Sequence, residues 1–186
     1  MPTKSSDIIY QLKITLIDAK PPIWRRVLVP GSFNLYQLHQ VIQSAMGWTD
    51  SHLHLFDIEG EVYSIPSPED WEPVIDERKF KLEKIAPSVN DKFVYEYDFG
   101  DSWRHLVLVE KILPPTVGEY YPQCIKGKRA CPPEDVGGVW GYEGFLEALQ
   151  DKNHEEHDSY LEWVGGEFDA ETIDLTDINA ELRQRL

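Results

Sequence analysis

Residues 8–17 alternate, with Tyr10, Leu12, Ile14 and Leu16 on one side and Gln11, Lys13 and Thr15 on the other. That period of two predicts a half-buried strand. The DAKPP stretch turns the chain, since its prolines cannot continue a ladder, and residues 23–29 predict a second strand, with Trp24 and Arg26 on one face and Arg25 on the other. The pattern then changes period. Leu35, Leu38, Val41, Ile42, Ala45 and Met46 share one stripe at helical spacing. Ser32 or Asn34 can cap that helix and Gly47 sits where it must stop. Strands are expected at 52–58, 62–65, 93–97 and 103–113, with one helical turn near 82–86. PSPEDWEP, with three prolines, is expected to be loop.

Past Leu113 the alternation stops. Residues 114–141 are rich in proline and glycine and predict a long ordered loop, because their aromatics and cysteines argue against disorder. Helices are expected at 142–150 and 160–164, and around Leu175, Ile178 and Leu182. The fold class is therefore α+β: one domain over residues 1–186, a largely antiparallel, mixed sheet with β-hairpins and a packed helix. It divides into a sheet-rich part (8–113), the loop (114–141) and an acidic helical part (142–186). Up to residue 97 the element order resembles the β-grasp arrangement of ubiquitin-like domains. In that arrangement the last strand lies mid-sheet with both neighbours present, yet 103–113 reads as its hairpin partner, so either the sheet order differs or that strand bends away.

Composition narrows the function classes. The chain has 186 residues, 41% hydrophobic and 12% aromatic, with six tryptophans, which is enough to bury a core unaided. Two cysteines make no disulfide framework, and Cys124 and Cys131, seven apart with no second pair, are expected to be buried thiols. The MPTKSSD start has no apolar centre and predicts no signal peptide. No apolar run approaches the ~20 residues of a membrane span. The cytoplasm is the expected location. Net charge is −15. Residues 132–186 hold fifteen acids against three bases, and residues 1–131 eighteen against fifteen. An acidic face repels duplex DNA and is expected to be a solvated surface.

Three stretches carry candidate chemistry. In YEYDFGDSWRH, Gly100-Asp101 lies between two alternating runs and marks a hairpin turn. Asp98 and Asp101 can bond turn amides, while Asp98, Asp101 and His105 could also hold a metal or pass a proton. The Asp98-Phe99-Gly100 triplet matches a protein-kinase tripeptide, but no glycine-rich loop, strand lysine or catalytic-loop aspartate accompanies it. In HLHLF, His52 and His54 would point the same way in a strand, about 6.6 Å apart, and could share one ion with Asp101 and His105. His154 and His157, set among acids, are expected to be surface residues, and His39 to border the core. No P-loop and no nucleophile elbow is present.

PPIWRR, LHQVIQSAMGW, HLHLF, YEYDFGDSWRH, LVEKI, CIKGKRACPPEDVGG and GYEGF occur in that order. Together they resemble the plasmid pRiA Orf-three-like domain family, over about 8–182. The family is uncharacterised, and some members are labelled transposon passenger proteins or resolvases. The acidic C-terminal third, without a basic arm, fits a resolvase poorly. Members often carry a third cysteine after PPED. Val136 stands there, which weakens a three-cysteine site.

The resemblance implies a set of signature residues: Trp24, Arg25, His39, Trp48, His52, His54, Asp98, Asp101, Trp103, His105, Glu110, Glu134 and Asp135. They are expected to converge on one cleft between the sheet and residues 132–138. The leading functional expectation is a non-catalytic binding module whose aromatic and carboxylate-rich cleft takes a protein, peptide or small ligand. The first alternative is a divalent-metal-dependent hydrolase using His52, His54, Asp98, Asp101 and His105. The second is a nucleic-acid accessory protein of mobile elements.

Overall fold

The computed structural model describes residues 7–186. Eight strands form one sheet: β1 (Ile9–Leu16), β2 (Trp24–Pro30), β3 (His54–Ile58), β4 (Glu61–Ser64), β5 (Ile75–Asp76), β6 (Lys92–Tyr97), β7 (Trp103–Leu113) and β8 (Gln123–Lys128). Their spatial order is β5-β4-β3-β6-β7-β1-β2-β8. Every pairing is antiparallel except β4 with β5. Five helices complete the α+β fold: α1 (Leu35–Met46), α2 (Leu82–Ile85), α3 (Gly138–Gln150), α4 (His157–Trp163) and α5 (Leu175–Arg185).

The alternation of β1 survives as an inward row of Tyr10, Leu12, Ile14 and Leu16, each at most 2% exposed. In register beside them stand Val29, Val27 and Arg25 of β2 and Val109, Val107 and His105 of β7. Further along the same face come Trp103 opposite Tyr97, and Tyr95 opposite Phe56. The apolar stripe of α1 is buried as its spacing requires. A capping box between Asn34 and Gln37 starts that helix, and Gly47 ends it at φ 101° with its N–H on the Gln43 carbonyl. The opposite face carries Gln11, Lys13, Trp24, Arg26 and Glu110.

Strand β7 settles the sheet order. It lies between β6 and β1, antiparallel to both, so β6 runs parallel to β1 but one strand removed. The β-grasp likeness holds for the order of elements and not for the pairing, because an eleven-residue strand fills the place where the first and last strands would meet.

Other boundaries differ from the sequence reading. The expected loop 114–141 contains β8, which caps the sheet edge at β2 with Cys124 opposite Val27. Its Lys-Gly-Lys run has no alternation, and Gly127 is needed because a Cβ there would lie 2.5 Å from Ile173 Cδ1 and 3.0 Å from Arg25 Cδ. After PSPEDWEP the chain makes the two-residue β5 and a 3-10 turn (Glu77–Lys79) capped by Asp76. Helix α3 starts four residues before its apolar run, on a Gly-Gly turn that no apolar pattern marks.

That turn seats α3 on the β6–β7 hairpin. Gly138 has φ 72°, and a Cβ there would meet the Asp101 carbonyl oxygen at 2.5 Å. Gly144, on the same helix, has nothing within 4 Å of its added Cβ. Gly138→Ala is expected to lower unfolding stability by about 2–4 kcal/mol through strain and overlap. Gly144→Ala should change it by less than about 1 kcal/mol, in the stabilising direction. Urea denaturation followed by tryptophan fluorescence reads both, and equal effects at the two glycines would refute the packing argument.

A candidate metal centre where three loops meet

Three loops converge at one end of the sheet: residues 47–53 after α1, the hairpin tip 98–102, and residues 131–138. The Tyr97 hydroxyl stands at their junction. It donates to Glu134 Oε1 at 2.6 Å and accepts from the Ser51 amide at 2.9 Å. Burial and the Glu134 carboxylate raise its pKa, so it remains a donor. Glu134 also takes the Thr49 hydroxyl at 2.5 Å and the Thr49 amide at 3.3 Å. Trp48 adds a second pin, its indole N–H donating to the Pro132 carbonyl at 3.2 Å. The Trp48 ring packs on Tyr97, Trp103 and His105 at 5.1–5.6 Å between centroids.

These pins hold His52, Asp98 and Asp135 together. His52 Nε2 lies 2.8 Å from Asp135 Oδ1 and 3.6 Å from Asp98 Oδ2. One ligand atom from each of the three falls within 4.8 Å of the others. Asp98 has both expected roles at once. Its Oδ1 accepts from the Gly100 amide at 3.0 Å and the Asp101 amide at 3.4 Å, an Asx turn, while Oδ2 faces His52. Both aspartates hold left-handed backbones, φ 58° at Asp98 and 61° at Asp135, which Asp tolerates better than most residues. Side-chain exposure rises from 11% at Asp98 to 32% at His52 and 67% at Asp135, so the cluster opens to solvent. One imidazole and two carboxylates suit a divalent cation of borderline to hard character.

A second group lies deeper. His39 and His54 stack with centroids 3.5 Å apart and planes 6° from parallel. His39 Nδ1 is 2.8 Å from the Tyr95 hydroxyl and Nε2 is 2.9 Å from Asp50 Oδ1. His54 Nε2 is 2.9 Å and 3.0 Å from the two oxygens of Glu77, which is fully buried. Gln43 completes the network, donating to the Tyr95 hydroxyl and accepting from the Asp50 amide. His39, Asp50 and His54 likewise bring one ligand atom each within 4.8 Å of the others. Parallel stacked rings, however, hold their lone pairs in two separate planes that cannot both contain one ion, and both nitrogens of His39 are already bonded. The network ties α1, β3 and the 3-10 turn together.

The HLHLF pair is therefore divided. Strand β3 begins only at His54, so the alternation that would align the two rings does not reach His52. One turns outward to Asp135 and the other inward to Glu77. Asp101 stands apart from both groups, its Oδ2 accepting from the Gly137 amide at 3.0 Å at the start of α3. His105 is buried, with Nδ1 3.3 Å from the Tyr95 carbonyl. Trp103 is sealed beneath Trp48.

Three signature residues lie elsewhere. Arg25 is 2% exposed and gives its guanidinium to the carbonyls of Ala45, Trp24 and Lys128 at 2.8–3.2 Å, a cation at the negative end of α1. Trp24 and Glu110 occupy the opposite face. Glu110 takes a bidentate bond from Arg26 and one from Gln11, and Trp24 stacks under Lys13 and Arg26. Cys124 is buried and Cys131 half-buried, both thiols free. Burial raises the pKa of each. His157 is half-buried with Nδ1 on the Ala148 carbonyl rather than on the surface. Asp50, Glu77 and Tyr95 were not singled out in the sequence, and only the turn-forming context of Thr49-Asp50-Ser51 hinted at the first.

The family model described as plasmid pRiA4b ORF-3-like protein matches residues 8–177, and the chain belongs to that family. The uncharacterized protein y4hQ of Sinorhizobium fredii (strain NBRC 101917 / NGR234) is 40% identical over 173 residues, covering 92% of this chain and 89% of the relative. The crystal structure of a protein of unknown function, MM3350 from Methanosarcina mazei Go1, matches with a TM-score of 0.85 at 41% identity, over 92% of this chain and 97% of that one. These likenesses carry the family and the fold; neither relative brings an activity.

Burial, opposed by backbone hydrogen bonds that raise it, pushes the His105 pKa from 6.5 down to about 4, and burial with the neighbouring His54 lowers His39 as well. A lowered histidine pKa means the unfolded chain takes up the proton first. Stability is complete above about pH 6.5 and is lost as pH falls from there towards 4. Denaturation midpoints across that range should decline, with about 1.4 kcal/mol per pH unit from His105. His105→Phe should flatten the profile by that amount, and an unaltered slope would contradict the buried neutral imidazole.

Proposed function

We propose that this member of the pRiA4b ORF-3-like family is a divalent-cation-dependent binding module. His52, Asp98 and Asp135 hold the ion, and the ion's open positions take an oxygen donor from a peptide or protein partner. The observation that carries the reading is the setting of the three ligands. Leu53, Phe99 and Trp140 are exposed at 73%, 49% and 78%. Leu53 accepts the Asp98 amide through its carbonyl, Phe99 follows Asp98, and Trp140 lies in the first turn of α3, the helix that Asp101 holds through the Gly137 amide. Exposed aromatic and aliphatic groups around a charged centre are the composition of a recognition surface.

Binding is favoured over catalysis because the neighbouring carboxylates are occupied. Both Glu134 oxygens are bonded by Thr49 and Tyr97, and Asp101 caps α3. Both carboxylates are thus engaged, which weighs against either as the base that activates a nucleophile. A hydrolytic reading draws on one feature: three protein ligands leave positions open to water, as catalytic centres do.

Metal-free protein titrated with Mn²⁺ or Zn²⁺ by calorimetry should take up one ion per chain. His52→Ala and Asp135→Ala should each weaken uptake at least about tenfold. Asp98→Asn, which keeps the turn acceptor and removes the charge, should do the same. His54→Ala should leave the stoichiometry at one. Absence of uptake by the wild type, or uptake untouched by His52→Ala and Asp135→Ala, would overturn the reading.

A further inference from the structure

The five helices all send apolar residues into one core on the inner face of the sheet. Val94, Leu106 and Leu108, on the outer face, have no place in that core. Strand pairing lines the outer residues up in rows that cross the strands. One row runs Lys92, Leu108, Lys13, Arg26 and Lys126, each paired with the next from β6 to β8. Four of its five positions are basic and none is acidic, in a chain with 33 acids and 18 bases. Strands stand ~4.8 Å apart, so the row spans about 19 Å. Like charges directly opposite in a sheet are destabilising. Of these four, Glu110 bonds only Arg26, and Lys13, Lys92 and Lys126 have no ion pair among the described residues.

The neighbouring row is apolar where this one is charged. It runs Val94, Leu106, Thr15 and Trp24, about 6.6 Å along the strands from the first. These side chains are half-buried, while Lys92 and Lys126 are exposed. A cationic row beside an apolar row fits a helix whose carboxylates flank its apolar stripe. Successive turns of such a helix put like groups ~5.4 Å apart, close to the strand spacing, so roughly three turns cover both rows. A single nucleic-acid strand fits less well, because it needs open aromatic faces to stack on. Trp24, the one aromatic of the two rows, is already covered by Lys13 at 4.9 Å and Arg26 at 5.0 Å. We infer that the outer face of the sheet is a docking surface for an acidic amphipathic helix of a protein partner, separate from the proposed cation centre. The helix carboxylates meet Lys92, Lys13, Arg26 and Lys126, and its apolar side chains meet Val94, Leu106 and Trp24.

The probe is a fluorescein-labelled synthetic helix with leucine at heptad positions a and d and glutamate at e and g. Fluorescence anisotropy with the full chain should give a Kd of about 100 μM or tighter at low salt, weakened at least about tenfold in about 0.5 M NaCl. The same peptide with lysine in place of glutamate should bind at least about tenfold more weakly. The double reversal Lys92→Glu with Lys126→Glu should cost at least about tenfold as well. Both side chains are exposed, so the melting temperature should be little changed, which separates lost binding from lost folding. Lys152→Glu, beyond the end of α3, should leave the affinity unaltered. Chelator and His52→Ala should also leave it unaltered, keeping this result apart from the cation centre. No binding up to about 1 mM peptide, full affinity in the double reversal, equal affinity for the lysine peptide, or tighter binding of an oligothymidylate strand would each overturn the assignment. Self-association of the chain alone in sedimentation, abolished by the double reversal, would also overturn it by making a second copy the occupant.

Discussion

The meeting of three loops at one end of the sheet depends on one phenol. The sheet fixes Tyr97 at the end of β6, opposite Trp103 and His54, and that is the limit of what strand pairing can position. Beyond it the chain is three loops with no ladder between them. Tyr97 closes the gap by donating to Glu134 and accepting from Ser51 through one oxygen. The bond to a carboxylate is of the stronger kind, and a half-buried site shields it from competing water. Trp48 reinforces the junction from the other side, where an indole lies flat against Tyr97 and its N–H holds the Pro132 carbonyl. With the loops so joined, His52 and Asp135 meet although they are 83 residues apart in the chain.

The same end of the sheet holds four histidines, and their fates diverge for physical reasons. His39 and His54 point into the core, where each must find a partner for its polar edge, and they find Asp50, Tyr95 and Glu77. His105 is also inside, where burial keeps its ring neutral among aromatics. His52 precedes the strand, escapes the pleat, and alone is left where an imidazole and two carboxylates face solvent. Candidate ligands are thus sorted by burial before chemistry is considered: groups in the core are consumed by each other, and only those at the loop junction keep a free direction for an ion.

Much of this was legible in the chain. Strict alternation placed β1, β6 and β7, and the stripe from Leu35 to Met46 placed α1 with its cap and stop. Of the signature residues, Trp48, His52, Asp98, Asp101, Trp103, His105, Glu134 and Asp135 do gather beneath and around residues 132–138. What could not be read was sidedness between strands. Trp24 and Glu110 carry the same polar-aromatic character as Trp48 and Glu134, yet the pleat sends them to the other face, where Arg26 and Lys13 meet them. Nor could the HLHLF spacing reveal that β3 begins one residue after Leu53, which reverses the expected alignment of its histidines. β8 was hidden for a different reason: an edge strand of Gln-Cys-Ile-Lys-Gly-Lys is defined by β2 beside it and by Arg25 beneath it, not by its own pattern.

Charge completes the argument. Asp135 and Glu134 open the acidic third of the chain, and the cluster with His52 and Asp98 lies where that third meets the near-neutral sheet. A net charge of −15 raises the local concentration of cations and by itself would repel an acidic partner. Under the proposed reading a divalent ion would cancel the two carboxylate charges at that one spot, since such ions are the largest local charges in a site. Coordination positions left open by His52, Asp98 and Asp135 would then take carboxylate or carbonyl oxygen of the proposed partner, beside the exposed Leu53 and Phe99. An acidic protein with an exposed aromatic rim can in this way select for a partner that its overall charge disfavours, because attraction is confined to the few ångströms around the ion and repulsion acts across the acidic third around it.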